Sequence, residues 1–314
     1  MAPQQAYQDE SLGQAGVGHR DDMGRCSRMS SQLDEAVVRD VVSAALAEDL
    51  RYGPDITTTA TVAAGVWSTA VLSPRESGVL AGVDIALAVF EEVLTGDEPI
   101  EVLDRAVDGT RLAAGEPAIV LQGPTRGLLT AERTALNLLS QLSGVATSTA
   151  AWVSAVAGTG CGIRDSRKTV PGMRLLQKYA VRCGGGTNHR FGLGDAALIK
   201  DNHVVAAGSV AAALRLVRER DTTVPCQVEV DELEQLTEVL NAGADEVLLD
   251  NFTPIGCVAA VRERDAVAPG VLLEASGGLQ AHNAHDYART GVDFLAVGAL
   301  THSAAVLDVG MDLR

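Results

Sequence analysis

The chain has 314 residues, 46% hydrophobic and 3% aromatic, so it can bury one or two sizeable cores without stapling. Its formal net charge of −16 repels nucleic acid and anionic membrane, which sets both aside as partners while leaving room for a local basic pocket. The five cysteines (Cys26, Cys161, Cys183, Cys226 and Cys257) are odd in number, lack CxxC spacing and have no His/Cys cluster beside them. That pattern excludes a disulfide framework and a zinc site, and it reads as thiols in a reducing cytosol. Cys183, next to Arg182, is a candidate nucleophile, set against the commoner reading of a small buried thiol. No apolar run reaches membrane-spanning length and no signal-peptide core is visible.

Residues 1–29 are polar, rich in Gln, Gly and Asp, and aperiodic, and they read as a disordered extension. Met23 and Met29 lie inside it as alternative starts. Ser31 and Asp34 form a capping signal, and Leu33, Val37, Val38, Val41, Val42, Ala45 and Leu46 follow at helical spacing. From 52 to 127 short β-prone stretches (68–72, 118–121) alternate with turns at Asp108-Gly109 and Gly123-Pro124, around one helix at 83–94. This predicts a small α+β domain. A long helix then runs from about Thr130 to Ala157, with a break expected at Gly144.

Beyond it the rhythm is regular. Apolar strand candidates stand at 162–165, 197–200, 227–230, 246–250, 271–275 and 294–297, with helical patterns at 209–220, 232–241, 254–264 and 282–290. Repeats of β-α length argue for parallel strands, in a barrel or a doubly wound sheet. The barrel is favoured because the strands end in Asp165, Lys200, Glu229, Asp250, Ser276 and Gly298, which only a barrel gathers at one mouth.

Residues 164 to 203 hold Arg164, Arg167, Lys168, Arg174, Lys178, Arg182, Arg190 and Lys200, with His189 and His203, against Asp165, Asp195 and Asp201. The bland alternative is a solvated basic face. Turn chemistry (Thr169 to Gly172, and Gly184-Gly185-Gly186-Thr187-Asn188) favours an anion site, since glycines admit close approach and arginine forks match carboxylate and phosphate. Glu229 and Asp250 end successive strands. They either share one Mg²⁺ or pair with Arg or Lys inside the mouth; spacing does not choose between these. The stretches 273–278 and 298–303 are Gly- and Ser-rich and suit a phosphate cradle of backbone N–H groups. Together these features want a phosphate, a metal-bound diphosphate and carboxylates, as in a phosphoribosyl diphosphate with an acidic acceptor.

Eight stretches resemble the quinolinate phosphoribosyltransferase family: AEDLRYGPDITT (47 to 58), LLTAERTALNLLSQLSGVAT (128 to 147), DSRKTVPGMRLLQKYAVRCGGGTNHR (165 to 190), LIKDNH (198 to 203), VEVD (228 to 231), LLDN (248 to 251), LEASGG (273 to 278) and GALTHS (298 to 303). The likeness runs from about residue 33 to the C-terminus. It implies an α/β fold, with an N-terminal α/β sandwich (30–143), an incomplete, seven-stranded β/α barrel (144–302) and a C-terminal segment (303–314) returning toward the first domain. It also implies a cytoplasmic homodimer, or a hexamer built as a trimer of dimers.

Carried over by position, the resemblance implies quinolinate-binding cations at Arg133, Arg167, His189, Arg190 and Lys200, with Ser166 and Lys168 beside them. Arg133 would enter the neighbouring subunit's site. Glu229 and Asp250 would meet Mg²⁺–diphosphate, through water or the diphosphate, and the ribose. Lys168, Glu229 and Asp250 are the catalytic candidates. Ser276, Gly277, Gly278, Val297, Gly298, Ala299 and His302 would cradle the 5-phosphate. The implied reaction is phosphoribosyl transfer to quinolinate with loss of CO₂. The rivals are a related transferase using nicotinate or another acceptor, and a non-catalytic phosphate-binding barrel.

Overall fold

A computed structural model describes residues 33–95 and 99–314. The expected disordered extension and Ser31 of the capping signal lie outside the described residues. The first helix, α1 (Glu35–Asp49), starts at Asp34, whose side chain accepts the Ala36 N–H. Then follow α2 (Ile56–Thr61), β1 (Trp67–Pro74), β2 (Gly78–Val79), α3 (Val83–Val93), β3 (Glu101–Arg105), β4 (Arg111–Leu112) and β5 (Ile119–Pro124). Helix α2 has no apolar periodicity and is not foreseen in the sequence; Asp55 caps it by accepting from the Thr58 N–H.

The long helix α4 (Thr125–Ala155) begins earlier than its apolar pattern suggests and passes Gly144 without a break. Gly144 is small for another reason. A Cβ there would fall on the Ala305 carbonyl oxygen and within 2.8 Å of the Val306 Cα, so the glycine lets the C-terminal segment cross against the helix. Nearby, Ser143 and Thr147 accept the N–H groups of Ala81 and Val79, which ties the helix to the edge of β2.

The remaining elements alternate: β6 (Gly162–Arg164), α5 (Arg174–Cys183), β7 (Ala197–Ile199), α6 (Asp201–Ala207), α7 (Val210–Arg220), β8 (Cys226–Val230), α8 (Leu233–Asn241), β9 (Glu246–Asp250), α9 (Pro254–Val267), β10 (Leu272–Ser276), α10 (Ala284–Ala288), β11 (Phe294–Ala296), α11 (Ala299–His302) and β12 (Val309–Leu313). All six expected strands of this half are present. They form one parallel sheet in the order β6-β11-β10-β9-β8-β7. A seventh segment contributes one parallel bridge, Arg164 to Thr187, on the far side of β6. The sheet is therefore a barrel left open between Thr187 and β7. In the other half, an antiparallel sheet runs β12-β1-β5-β3, with β2 and β4 as a separate pair. β12 joins β1 in register from Ala70–Leu313 to Pro74–Val309.

Two elements missed in the sequence bear on the site. α5 falls between the two turns of the basic stretch, and α6 begins at its end, just after the strand expected at 197–200. Helix α5 is amphipathic, and Gln177 and Lys178 lie on its buried face beside Leu176, Ala180 and Val181. The helix is tied to the first half through Asp108, which accepts from the Tyr179 hydroxyl (2.7 Å) and from the N–H groups of Gly82 and Val83 at the start of α3.

Replacing Gly144 by Ala should cost about 2 kcal/mol or more, because the added methyl meets backbone and not a yielding side chain. Urea unfolding measures it, and an unchanged midpoint would contradict the close crossing.

Candidate active site

Parallel pairing puts the C-terminal ends of β6 to β11 at one mouth. The floor beneath that mouth is ionic. Arg164 reaches Glu246 and, at 2.6 Å, Glu274, and its guanidinium stacks 3.7 Å from the Phe294 ring centroid. Glu274 is fully buried, and burial pushes its carboxyl above the usual range. Gln227 donates to Glu246 at 3.1 Å, so its carbonyl oxygen faces outward and meets His189 Nε2 at 2.7 Å.

That chain of contacts fixes the state of His189. Its Nδ1 accepts the Arg190 N–H at 2.8 Å, so the ring proton sits on Nε2, facing the Gln227 oxygen. Burial holds its pKa below 6.5, with Arg164 and Lys178 adding to the effect. His189 thus stands in the site as a neutral ring with both nitrogens engaged, and not as the cation expected.

Three other sequence expectations change. Asp165 does not face the mouth: it is fully buried and paired with Lys178. Its other contacts are the His189 N–H (2.8 Å) and the Asn188 amide (2.6 Å), while Lys178 also donates to the His189 carbonyl at 2.8 Å. Burial pushes the Asp165 carboxyl up and the Lys178 ammonium down, each against the attraction of the other. The basic surplus is therefore smaller than the count suggests, since Arg164 and Lys178 are spent inside the barrel and Arg174 binds Thr169 Oγ1 and the Phe191 carbonyl. The candidate nucleophile Cys183 gives way to the commoner reading of a packed thiol: burial pushes it up to about 12, away from the reactive thiolate.

The cations left at the mouth are placed to bind. Arg167 lies close enough to Arg190 for the two guanidiniums to repel; burial and that repulsion hold Arg190 below the usual arginine range, with Asp195 opposing. Arg167 Nε is buried and has no hydrogen-bond partner among the described residues. Arg190 donates to the Ala196 carbonyl at 3.1 Å, and two guanidiniums that repel, one with an orphaned donor, suit an acidic ligand. A Cβ on Gly298 would come within 2.9 Å of Lys168 Cδ, 3.4 Å of Ser166 Oγ and 3.5 Å of His302 Nε2, so these four positions lie together. Val297 and Ala299 flank Gly298, and the Val297 N–H binds the Arg164 carbonyl at 2.8 Å.

Opposite, Lys200 and Glu229 form an ion pair. Asp250 accepts from the Asn251 amide at 2.8 Å, and the Asn251 N–H binds the Ser276 carbonyl at 2.8 Å. Gly277 and Gly278 take left-handed φ values of 88° and 63°; a side chain at Gly277 would collide with Asn251. Burial and then Asp231 push the Asp250 carboxyl up, against the pull of Lys200 and Lys168; burial, Asp201 and Glu229 do the same to Asp231. Asp201 and Asp231 are thus part of the acidic rim, which sequence spacing had not singled out. Among the described residues no group of three or more His, Cys, Asp or Glu could hold a metal by itself.

Arg133 is exposed on α4 and belongs to none of these clusters. It precedes Thr149, where the helix passes Gly184 at the end of α5, by roughly 24 Å of helix axis.

Residues 55–143 match the model of the quinolinate phosphoribosyl transferase N-terminal domain, and 145–312 match that of its C-terminal domain. A nicotinate-nucleotide pyrophosphorylase [carboxylating] of Mycobacterium leprae is 58% identical over 285 residues, covering 91% of this chain and all of that protein. The structure of the nicotinate-nucleotide pyrophosphorylase from Francisella tularensis aligns with a TM-score of 0.85 and 38% identity, over 90% of this chain and 98% of that one. Human nicotinic acid phosphoribosyltransferase, at 13% identity and a TM-score of 0.57 over 86% of this chain and 73% of that one, shares the fold alone. No helix among the described residues is long and apolar enough to cross a membrane.

The neutral, buried His189 sets a pH dependence. Below about pH 6.5 the unfolded chain's histidine takes up a proton that the folded one refuses, so stability is lost as pH falls, by up to about 1.4 kcal/mol per unit, until the folded pKa is passed. Urea unfolding at several pH values should show a shallower loss between pH 6.5 and 5 in His189→Gln; equal slopes would mean that the ring takes up its proton in the fold as it does in the unfolded chain.

Proposed function

The chain belongs to the quinolinate phosphoribosyl transferase family, and we propose that it joins quinolinate to 5-phosphoribosyl 1-diphosphate, yielding nicotinate mononucleotide, diphosphate and CO₂ in NAD biosynthesis. The observation that carries this reading is the buried Arg167 Nε without a partner among the described residues, with Arg190 near enough to be held down by its charge, beside Ser166, Lys168 and His302 gathered at Gly298. One group suits a dicarboxylate and the other a phosphate, and both open on the same mouth.

In this reading Arg167, Arg190 and Lys200 hold the acceptor carboxylates and aim the ring nitrogen at the ribose C1. His189 acts by shape, holding the Arg190 backbone in place. Lys168, the Ser276 to Gly278 turn and the Gly298 turn receive the 5-phosphate. The enzyme contributes position and preorganised charge. As the bond from C1 to the diphosphate weakens, Glu229 stabilises the positive charge growing on the ribose, and Lys200 holds that carboxylate in place. Once alkylated, the positive pyridinium nitrogen stabilises the carbanion left at C2 when the C2 carboxylate departs as CO₂, and a proton from water then fills C2.

For magnesium the donor set fits a visitor and not a resident. Asp250 and Glu229 would hold it, on a rim whose carboxylates repel one another, and it would supply positive charge to the departing diphosphate. Two guanidiniums favour a dicarboxylate over nicotinate. A non-catalytic phosphate barrel would have no use for the acids at Glu229 and Asp250.

Arg133 has no role within its own chain's mouth. It serves instead the site of a second subunit, in a homodimer or a trimer of dimers. The free thiols at Cys161, Cys183, Cys226 and Cys257 suit a reducing cytoplasm.

Carboxyl-labelled quinolinate should release CO₂ only when phosphoribosyl diphosphate and Mg²⁺ are present; release without them, or turnover of nicotinate instead, would sink this reading. Glu229→Gln should lower kcat by about 100-fold with little change in KM. Mixing inactive Arg133→Ala and Arg190→Ala chains should restore about a quarter of the wild-type rate if each site is shared between two subunits. No recovery after exchange of subunits would place Arg133 outside the reaction.

A further inference from the structure

Two loops carry the contacts assigned above to different substrates. The loop after β6 bears Arg167 for the acceptor and Lys168 for the phosphate. The second is the segment after β11, the Gly298 turn with the single turn of α11, which bears Gly298 and His302. Beneath both lies Gln177 of α5, fully buried. Its Oε1 accepts the Val170 N–H at 2.9 Å, in the first loop. Its Nε2 donates to the Thr301 carbonyl at 2.7 Å, in the second. Thr301 is also buried, and its hydroxyl donates to the Lys168 carbonyl at 2.8 Å. Two side chains thus clamp the two loops together at the backbone, and neither is among the residues assigned to a substrate.

The arrangement is specific. An amide is needed at 177 because it must accept from one loop and donate to the other. An apolar residue of the same size would leave the Val170 N–H and the Thr301 carbonyl without these partners in the interior. Valine at 301 would keep the shape of threonine and lose the bond to Lys168.

We propose that Gln177 and Thr301 form a latch through which the acceptor and phosphate subsites sense each other. The proposal rests on the functional reading above. A phosphate ligand that fixes the second loop also fixes Lys168 and, next to it, Arg167. The cost of ordering Arg167 is then already met when the dicarboxylate arrives. Linkage requires the same factor in the reverse direction. Gln177 and Thr301 are positioning residues.

Calorimetry on the full chain tests this, with quinolinate and ribose 5-phosphate as probes, a pair that lacks the diphosphate leaving group and so cannot react. In the wild type, saturating ribose 5-phosphate should tighten quinolinate by at least about 5-fold, and quinolinate should tighten ribose 5-phosphate by the same factor. Thr301→Ser keeps the hydroxyl and should keep the factor. Thr301→Val and Gln177→Leu should bring it below about 2-fold while leaving the affinity for either probe alone within about 3-fold. General damage would weaken each probe alone and leave the ratio intact. If Gln177→Leu does not fold, the serine and valine variants at 301 decide. A ratio near one in the wild type, or a wild-type ratio in Thr301→Val, overturns the latch. A wild-type protein that binds no quinolinate overturns the functional reading and the latch with it.

Discussion

The buried ion pair of Lys178 and Asp165 is the constraint on which the mouth depends. Both side chains are sealed from water. Breaking such a pair from one side costs about 3–5 kcal/mol, whereas replacing both partners with apolar groups is often neutral. Net stability is therefore a weak reason for its presence, and position is a better one. The pair holds the His189 N–H and carbonyl and the Asn188 amide, and so sets where the chain leads into Arg190. That stretch lies beyond the single bridge at Thr187, on the open side of the barrel, where no further strand would hold it.

A barrel of this kind is ordinarily filled by branched apolar side chains. Here Arg164, Glu246, Glu274 and Gln227 occupy part of that space, and each is held by another. The network ends on His189, which is how a charged floor yields a neutral ring at the surface of the site. Charge is used up below, and the cations that remain, Arg167, Arg190 and Lys200, stand in the mouth. Helix α5 serves both levels, since Lys178 reaches down to Asp165 while Gln177 reaches across to the two loops.

Much of this was legible in the sequence and some was not, for physical reasons. The six barrel strands are apolar runs with polar ends, and that pattern survives whatever surrounds them. The seventh is one bridge, too little to leave a pattern. Helix α5 carries a helical apolar pattern that its basic charges overshadow, and the burial of its Gln177 and Lys178 cannot be read from residue type when the partner is distant in sequence. Asp165 and Lys178 are thirteen residues apart, and Arg164 and Glu274 lie 110 apart. Gly144 looks like a helix break because only the fold reveals the Ala305 carbonyl passing beside it. The positions of Glu229, Asp250, Gly277 and Gly298 were legible because each ends a strand or turns the chain just after one. Their partners, Lys200 among them for Glu229, became clear only with the strands in place.

The pairing of β12 with β1 also orders events in time. β1 is made early in synthesis, while β12 emerges after every strand of the barrel. The first sheet therefore lacks its outer strand, and the whole edge of β1 is unpaired, while most of the chain is still being built. Such an edge is a template for the wrong partner, another nascent chain included. The same closure makes the molecule's contacts long-range in sequence, which slows folding in general. A fold that finishes its first sheet with a late strand cannot complete one half and set it aside; the two halves become native together.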